Sequence, residues 1–212
     1  FKKKLKNLSS KMIGISQRRF DELGELDSGL YRYYVSRLEN KDIFSQDDYN
    51  IMRYLTNQFD HKASILEIAA GCGQVSFALY SLGYRHIEMS EFDRRRIAYA
   101  ESLRDGLEIP LQIHAFDYRK LDLQTYDVIF VIDAVGSSLG AQDANLLIDA
   151  INSGTEVIIK HGFYGIDEAI FDVLDADERV TYDVIFKTDR EVRRYTASGN
   201  GQYEVNKDVR NS

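Results

Sequence analysis

Apolar and polar positions change period repeatedly from about residue 45 onward, and each change marks the edge of an element. Ile65–Ile68 is a short apolar run that suits a buried strand, whereas Val75, Leu79 and Leu82, with Phe77 and Ala78 between them, fall at the spacing of a helix packed on a sheet. Arg85–Phe92 predicts a second strand and Asp93–Arg104 the helix after it, with Asp93 as its cap. Leu111–Phe116 predicts a third strand. Tyr126–Ile132 predicts the fourth and most apolar, as a central strand covered on both faces requires. Ala141–Ile151 reads as a helix ended by Asn152, Ser153 and Gly154, and Glu156–Lys160 as a fifth strand. A short helix at Ile170–Leu174 precedes two more strands, Val180–Lys187 and Glu191–Thr196, joined through Thr188, Asp189 and Arg190 as a tight antiparallel pair. Strands and helices alternating in this way predict an α/β fold with a mostly parallel sheet.

The two ends break the pattern. Leu30–Leu38 and Ser45–Phe59 read as helices ahead of the first strand, the second capped by Ser45 with Asp47 and Asp48 in its first turn. Both are expected across the mouth of the site. Tyr31, Tyr33 and Tyr34 are candidates for an aromatic lid, although Tyr31, Tyr34 and Leu38 at helical spacing equally describe a packed face. Lys2, Lys3, Lys4, Lys6 and Lys11 form a basic start that reads as a solvated or frayed helix face rather than a nucleic-acid arm. After Ser198 the chain is polar, with Gly199 and Gly201, and a mobile tail is expected. The expected organisation is a helical segment over the site (residues 1–60), a core (61–197) and a tail (198–212).

Composition narrows the class. With 212 residues, 44% of them apolar, one well-filled core is expected. A net charge of -7 opposes sequence-blind binding to nucleic acid or to an anionic membrane, and leaves room only for a local basic patch. The single cysteine, Cys72, excludes an internal disulfide and suits a reducing, cytoplasmic setting; no apolar stretch reaches the ~20 residues that span a bilayer. The chain opens on Phe1 with no apolar leader core, which reads as a trimmed start. No metal site is read.

The chemistry concentrates where the period changes. Between Ile68 and the first core helix lies Ala69-Ala70-Gly71-Cys72-Gly73, a turn of small residues that lets a ligand approach backbone amides at a helix N-terminus. Cys72 reads as structural there, since any small residue serves. An acid closing the second strand, Glu91, follows Gly73 by the spacing expected of a carboxylate that accepts hydrogen bonds from a ribose diol. Glu88 and Asp93 are rivals, Asp93 being more simply a helix cap. Ligands bind beyond the carboxyl ends of strands in open α/β sheets, and Asp133, Lys160 and His161 occupy such ends; His161 titrates in the range of a general base.

These residues resemble class I S-adenosylmethionine-dependent methyltransferases over roughly Ser45 to Thr196. Glu67 and the turn to Gly73 match that family's first element, with Ala69 where a glycine is usual; Glu91 matches the second, and Asp117, in HAFDYRKL, the third. The resemblance implies a three-layer Rossmann-like sandwich: a mostly parallel seven-stranded sheet with one antiparallel strand and helices on both faces. It implies S-adenosylmethionine as methyl donor and S-adenosylhomocysteine as product. Glu67, Ala69, Gly71 and Gly73 would then face the amino-acid half, Glu91 the ribose, and Asp117 the adenine amino group, with Phe92 or Tyr118 against the ring. A nicotinamide dehydrogenase shares the strand, glycine turn and acid. Its third glycine or alanine would fall on Ser76, and Glu67 would oppose a pyrophosphate.

The acceptor is read by exclusion. Pro110 is the only proline, so neither the Pro-Pro-Tyr motif of amino-methylating enzymes nor the Pro-Cys nucleophile for cytosine C5 is present. A small-molecule or sugar acceptor is expected, with Asp133 lining its pocket and His161 or Lys160 beside it. One alternative resembles ribose 2′-O-methyltransferases, whose Lys-Asp-Lys-Glu set would correspond to Lys41, Asp133, Lys160 and Glu191. Another is a binding module that kept the fold without the chemistry, for which Ala69 and the short connections after the fourth and fifth strands are the support.

Overall fold

The computed structural model describes residues 1–23, 39, 41–132, 139–160, 168–188 and 190–199. Helices α1 (Lys2–Leu23) and α2 (Gln46–Gln58) precede β1 (Ser64–Ile68), α3 (Gln74–Leu82), β2 (His86–Ser90), α4 (Arg94–Leu107) and β3 (Gln112–His114). Then follow β4 (Val128–Val131), α5 (Ala144–Asn152), β5 (Glu156–Lys160), α6 (Ala169–Ala176), β6 (Val180–Lys187) and β7 (Glu191–Ala197). The strands form one sheet in the order β3-β2-β1-β4-β5-β7-β6. All neighbours from β3 to β5 pair parallel, and β7 runs antiparallel to both β5 and β6. The fold expected from the sequence is the fold observed, down to the single antiparallel strand. The predicted Leu30–Leu38 helix with its three tyrosines, Asp133, His161 and most of the tail lie outside the described residues.

Strand alternation sorts the core into two layers. Ile65, Met89, Phe130 and Ile158 point to the face covered by α1 to α4, and Leu66, Ile129, Val131 and Ile159 to the face covered by α5 and α6. Fully apolar β4 sits in the middle with every residue buried. Local chemistry sets the helix starts. The Ser45 hydroxyl accepts the Asp48 amide at 3.0 Å while the Asp48 carboxylate accepts the Ser45 amide at 2.6 Å, a reciprocal cap; Asp93 accepts the Arg95 amide at 2.9 Å at the start of α4.

The basic start has the solvated helix face expected of it and is tied down rather than frayed. Its lysines are solvated, but Leu5, Leu8, Met12 and Ile15 form the opposite stripe of a 22-residue helix and are buried against the core. Burying such a stripe offsets the cost of ordering the segment, at about 1.5–3 kcal/mol per large apolar side chain. Ile15 packs close to Gly106 of α4, and the Tyr99 hydroxyl of α4 donates to Ser16.

Candidate ligand-binding cleft

The carboxyl ends of β1 and β2, together with the segment leaving β3, enclose a cleft of about 140 Å³ lined by Ala69, Ser90, Glu91, Phe92, Phe116, Asp117, Tyr118 and Arg119. Five of these are sequence-predicted site residues from three separate stretches of chain. Ser90, Phe116 and Arg119 are additions.

The turn after β1 is shaped by positive backbone angles at Ala69 (φ 54°), Gly71 (φ 58°) and Gly73 (φ 71°). Ala69 adopts the left-handed conformation that favours glycine, so the alanine preserves the turn at a cost of about 1–2 kcal/mol. At Gly73 a Cβ would meet Met89 Sδ at 2.5 Å; at Gly71 it would meet nothing within 4 Å, so that flank of the turn faces open space. Glu91 ties the turn to β2. One carboxylate oxygen accepts the Gly71 amide at 2.9 Å and has Arg96 at 3.8 Å, and the other accepts the amides of Phe92 (2.8 Å) and Asp93 (2.9 Å). The side chain is buried yet lines the cleft.

Glu67 lies beneath the turn, where its carboxylate accepts both the amide (3.1 Å) and hydroxyl (2.5 Å) of Ser76 in the first turn of α3. The Gly73 amide is spent on the Ala70 carbonyl at 2.8 Å. The Gly71, Gly73 and Ser76 amides, of the kind a Rossmann dinucleotide site directs at a pyrophosphate, are thus engaged within the protein, and negative charge stands beside them. Such a site disfavours an anion and favours a cation.

The opposite wall is held by Arg119. Its guanidinium grips Asp143 through two bonds (2.5 and 2.9 Å) and donates to Asp117 at 2.8 Å, while the Asp117 carboxylate also accepts the Arg119 amide at 3.0 Å. Burial raises the Asp117 carboxyl, but these Arg119 bonds outweigh it and hold the group below its ordinary value. Burial, reinforced by the Asp143 charge, pushes the Tyr118 hydroxyl up, so it stays neutral. The Ser90 hydroxyl donates to the Phe116 carbonyl at 3.0 Å and fixes the two walls relative to each other. Phe92 is 55% exposed and Phe116 38%, both at the mouth. Large apolar side chains left in water beside a polar cleft are suited to stack on a planar ligand.

The other candidates lie elsewhere. Lys160, at the end of β5, donates to Asp47 at 2.5 Å, and the Thr188 hydroxyl donates to the same carboxylate at 2.6 Å. Lys41 is exposed, and Glu191 pairs with Lys187 and Arg193. Of the rivals to Glu91, Glu88 accepts from His114 and Tyr126, each at 2.6 Å, outside the cleft, and Asp93 is a helix cap.

No family model and no curated protein matches the sequence. Solved structures do match in shape. Magnesium protoporphyrin IX methyltransferase from Synechocystis with bound SAM superposes with a TM-score of 0.55 at 14% identity, covering 72% of this chain and 79% of that one. Ribosomal protein L11 methylase from Lactobacillus delbrueckii gives 0.53 at 16% identity over 73% and 79%. A protein from Pyrococcus horikoshii gives 0.57 at 14% over 74% and 93%. The chain has the class I methyltransferase fold.

Proposed function

We propose that this protein is an S-adenosylmethionine-dependent methyltransferase acting on a small-molecule or sugar acceptor. The observation that carries the reading is the charge of the cleft: the Gly71, Gly73 and Ser76 amides are satisfied internally, Glu91 and Asp117 line it with carboxylates, and Glu67 lies beneath the turn. That environment suits an adenosine bearing a sulfonium and an ammonium, and repels a pyrophosphate. Glu91 would hold the ribose diol, Asp117 the adenine amino group, and Phe92 and Phe116 the faces of the ring. Glu67 would add negative charge beneath the amino-acid half. The glycine-like backbone of Ala69 weakens one of the two supports for an inert module.

Bound there, S-adenosylmethionine supplies an electrophilic methyl group for in-line displacement. The protein's part is alignment, which can account for ~7–11 kcal/mol of a barrier, while a base is required only where the acceptor must lose a proton. Asp133 and His161 are the proposed acceptor-side groups. Lys160 is committed to a buried pair with Asp47, which does not favour the ribose 2′-O alternative.

Isothermal titration tests the cofactor half. Saturable binding of S-adenosylmethionine and S-adenosylhomocysteine is expected, weakened roughly tenfold by Phe92→Ala on the scale of base stacking. Asp117→Ala should weaken it as well. Preference for NADH, or no binding at millimolar cofactor, would overturn the reading. An acceptor screen reading out S-adenosylhomocysteine then tests the second half.

A further inference from the structure

Arg119 spans two environments. Its Nε and Nη2 grip the carboxylate of Asp143, which immediately precedes α5 and is fully buried, while Nη1 donates to Asp117 at the cleft. Asp143 is itself fixed by backbone, since the oxygen that takes Nη2 also accepts the Gly140 amide at 2.9 Å. It is not among the residues that line the cleft. Its side chain is 0% exposed, against 31% for Arg119 and 41% for Asp117, so the three groups form a chain that runs from the interior out to the wall. The guanidinium also lies over the Tyr118 ring, 5.1 Å from its centroid.

We propose that Asp143 is a positioning residue for recognition of the cofactor's adenine, acting through Arg119 on Asp117; the inference rests on the methyltransferase reading of the cleft. A tie between the segment after β3 and the start of α5 needs only the two bonds of the Arg119–Asp143 pair. It needs no third bond to a carboxylate at the mouth. Left to themselves, two partly exposed side chains such as Arg119 and Asp117 would form a weak pair, because ordering both offsets much of the contact. Anchoring the guanidinium in the interior removes its rotamer freedom beforehand, and the planar fork leaves Nη1 at a set position for Asp117. One Asp117 oxygen is then placed by the Arg119 amide and the other by Nη1. A carboxylate has about four acceptor positions, so these two bonds leave others that can receive only a donor. An amino group on a purine meets that requirement, and a purine with hydrogen in its place does not. Asp143 thereby sets how strongly the cleft distinguishes the two, without touching either.

The test is isothermal titration of the full chain with S-adenosylhomocysteine and with its analogue carrying hydrogen in place of the adenine amino group. The parent protein should prefer the adenine compound by about 10- to 100-fold, the scale of a hydrogen bond to a charged group. Asp143→Asn keeps an oxygen for the Gly140 amide but turns an amide toward the guanidinium. It should lower the preference by roughly fivefold or more, while affinity for the amino-free analogue stays within about threefold of the parent's. A merely structural role would weaken both ligands alike. If Asp143→Asn fails to fold, Arg119→Lys, which keeps the charge and loses the fork, should show the same selective loss. Asp117→Ala should abolish the preference by itself, and adding Asp143→Asn to it should change the preference no further. The proposal is overturned if the preference survives both Asp143→Asn and Arg119→Lys, if both ligands weaken in parallel, or if Asp143→Asn still lowers the preference in the Asp117→Ala background. A parent protein that binds neither compound overturns the cofactor reading along with it, whereas a parent that binds with a preference the variants do not alter overturns this inference alone.

Discussion

Substituting Lys160→Met should be among the most damaging single changes outside the core. The ammonium and the Asp47 carboxylate meet at 2.5 Å with side chains only 4% and 11% exposed, and 113 residues of chain separate them. At an effective dielectric near 20 their gross attraction is about 6–7 kcal/mol, most of which is offset by the cost of removing two charges from water. The net value of the intact pair is therefore small, while deleting one partner strands the other. With methionine at 160, Asp47 keeps the Thr188 hydroxyl among the described residues, and a loss of about 3–5 kcal/mol follows. Typical total stabilities are about 5–15 kcal/mol, so the change is severe. The protein has no tryptophan, so urea unfolding is best followed by far-UV circular dichroism. For a chain of this size, 3 kcal/mol moves the midpoint by roughly 1–1.5 M. The double variant Asp47→Leu with Lys160→Met should recover most of the loss, since an apolar pair of similar volume replaces a costly one. A midpoint shift below about 0.3 M for Lys160→Met, or effects of the two single changes that simply add, would refute this reasoning.

Two further expectations separate stability from binding and define the acid limit. Gly73→Ala should cost about 2–4 kcal/mol, combining left-handed strain with a clash against Met89, whereas Gly71→Ala should cost only about 1 kcal/mol in a thermal melt because open space receives the methyl group. Equal melting points for the two would contradict the geometry. Burial raises the Glu88 carboxyl, but the bonds from Tyr126 and His114 outweigh it and set the group below its ordinary value. A depressed carboxyl stabilises above its unfolded value of about 4.3 and loses that contribution as pH falls through its folded value. Glu88→Gln should therefore be less stable than the parent at pH 7, with the difference vanishing by about pH 3; a difference that persisted in acid would assign the effect to packing instead.

What was legible in the sequence was whatever is encoded by neighbours. Period changes delimit β1, α3 and β4, Ser45 and Asp93 lie where helix caps belong, and Glu91 and Asp117 follow strands at spacings that one turn of chain determines. What escaped was set by contacts across long separations. Asp47 reads as an ordinary first-turn acid until β5 delivers Lys160 to it, and Arg119 reads as a loop cation until Asp143, 24 residues on, receives it. Helix α1 escaped for a different reason. Five lysines dominate its beginning, and the stripe of Leu5, Leu8, Met12 and Ile15 is visible only once α4 supplies the surface that buries it.

Glu91 shows how far such a site is built before any ligand arrives. A carboxylate offers about four acceptor positions, and the amides of Gly71, Phe92 and Asp93 take three of them. The same side chain that would receive a ribose hydroxyl is thus also the strut that joins the glycine turn to the end of β2. Replacing it by alanine would release three buried amides together with any ligand contact, at about 1–3 kcal/mol for each group left unsatisfied. Loss of binding in a Glu91 variant consequently cannot distinguish a missing contact from a collapsed turn. Asp117 is held at a solvent-facing wall by Arg119, and Phe92 stands free in the mouth. Changes at those two residues leave the strut intact, so they are the ones whose effect on cofactor affinity can be read as recognition.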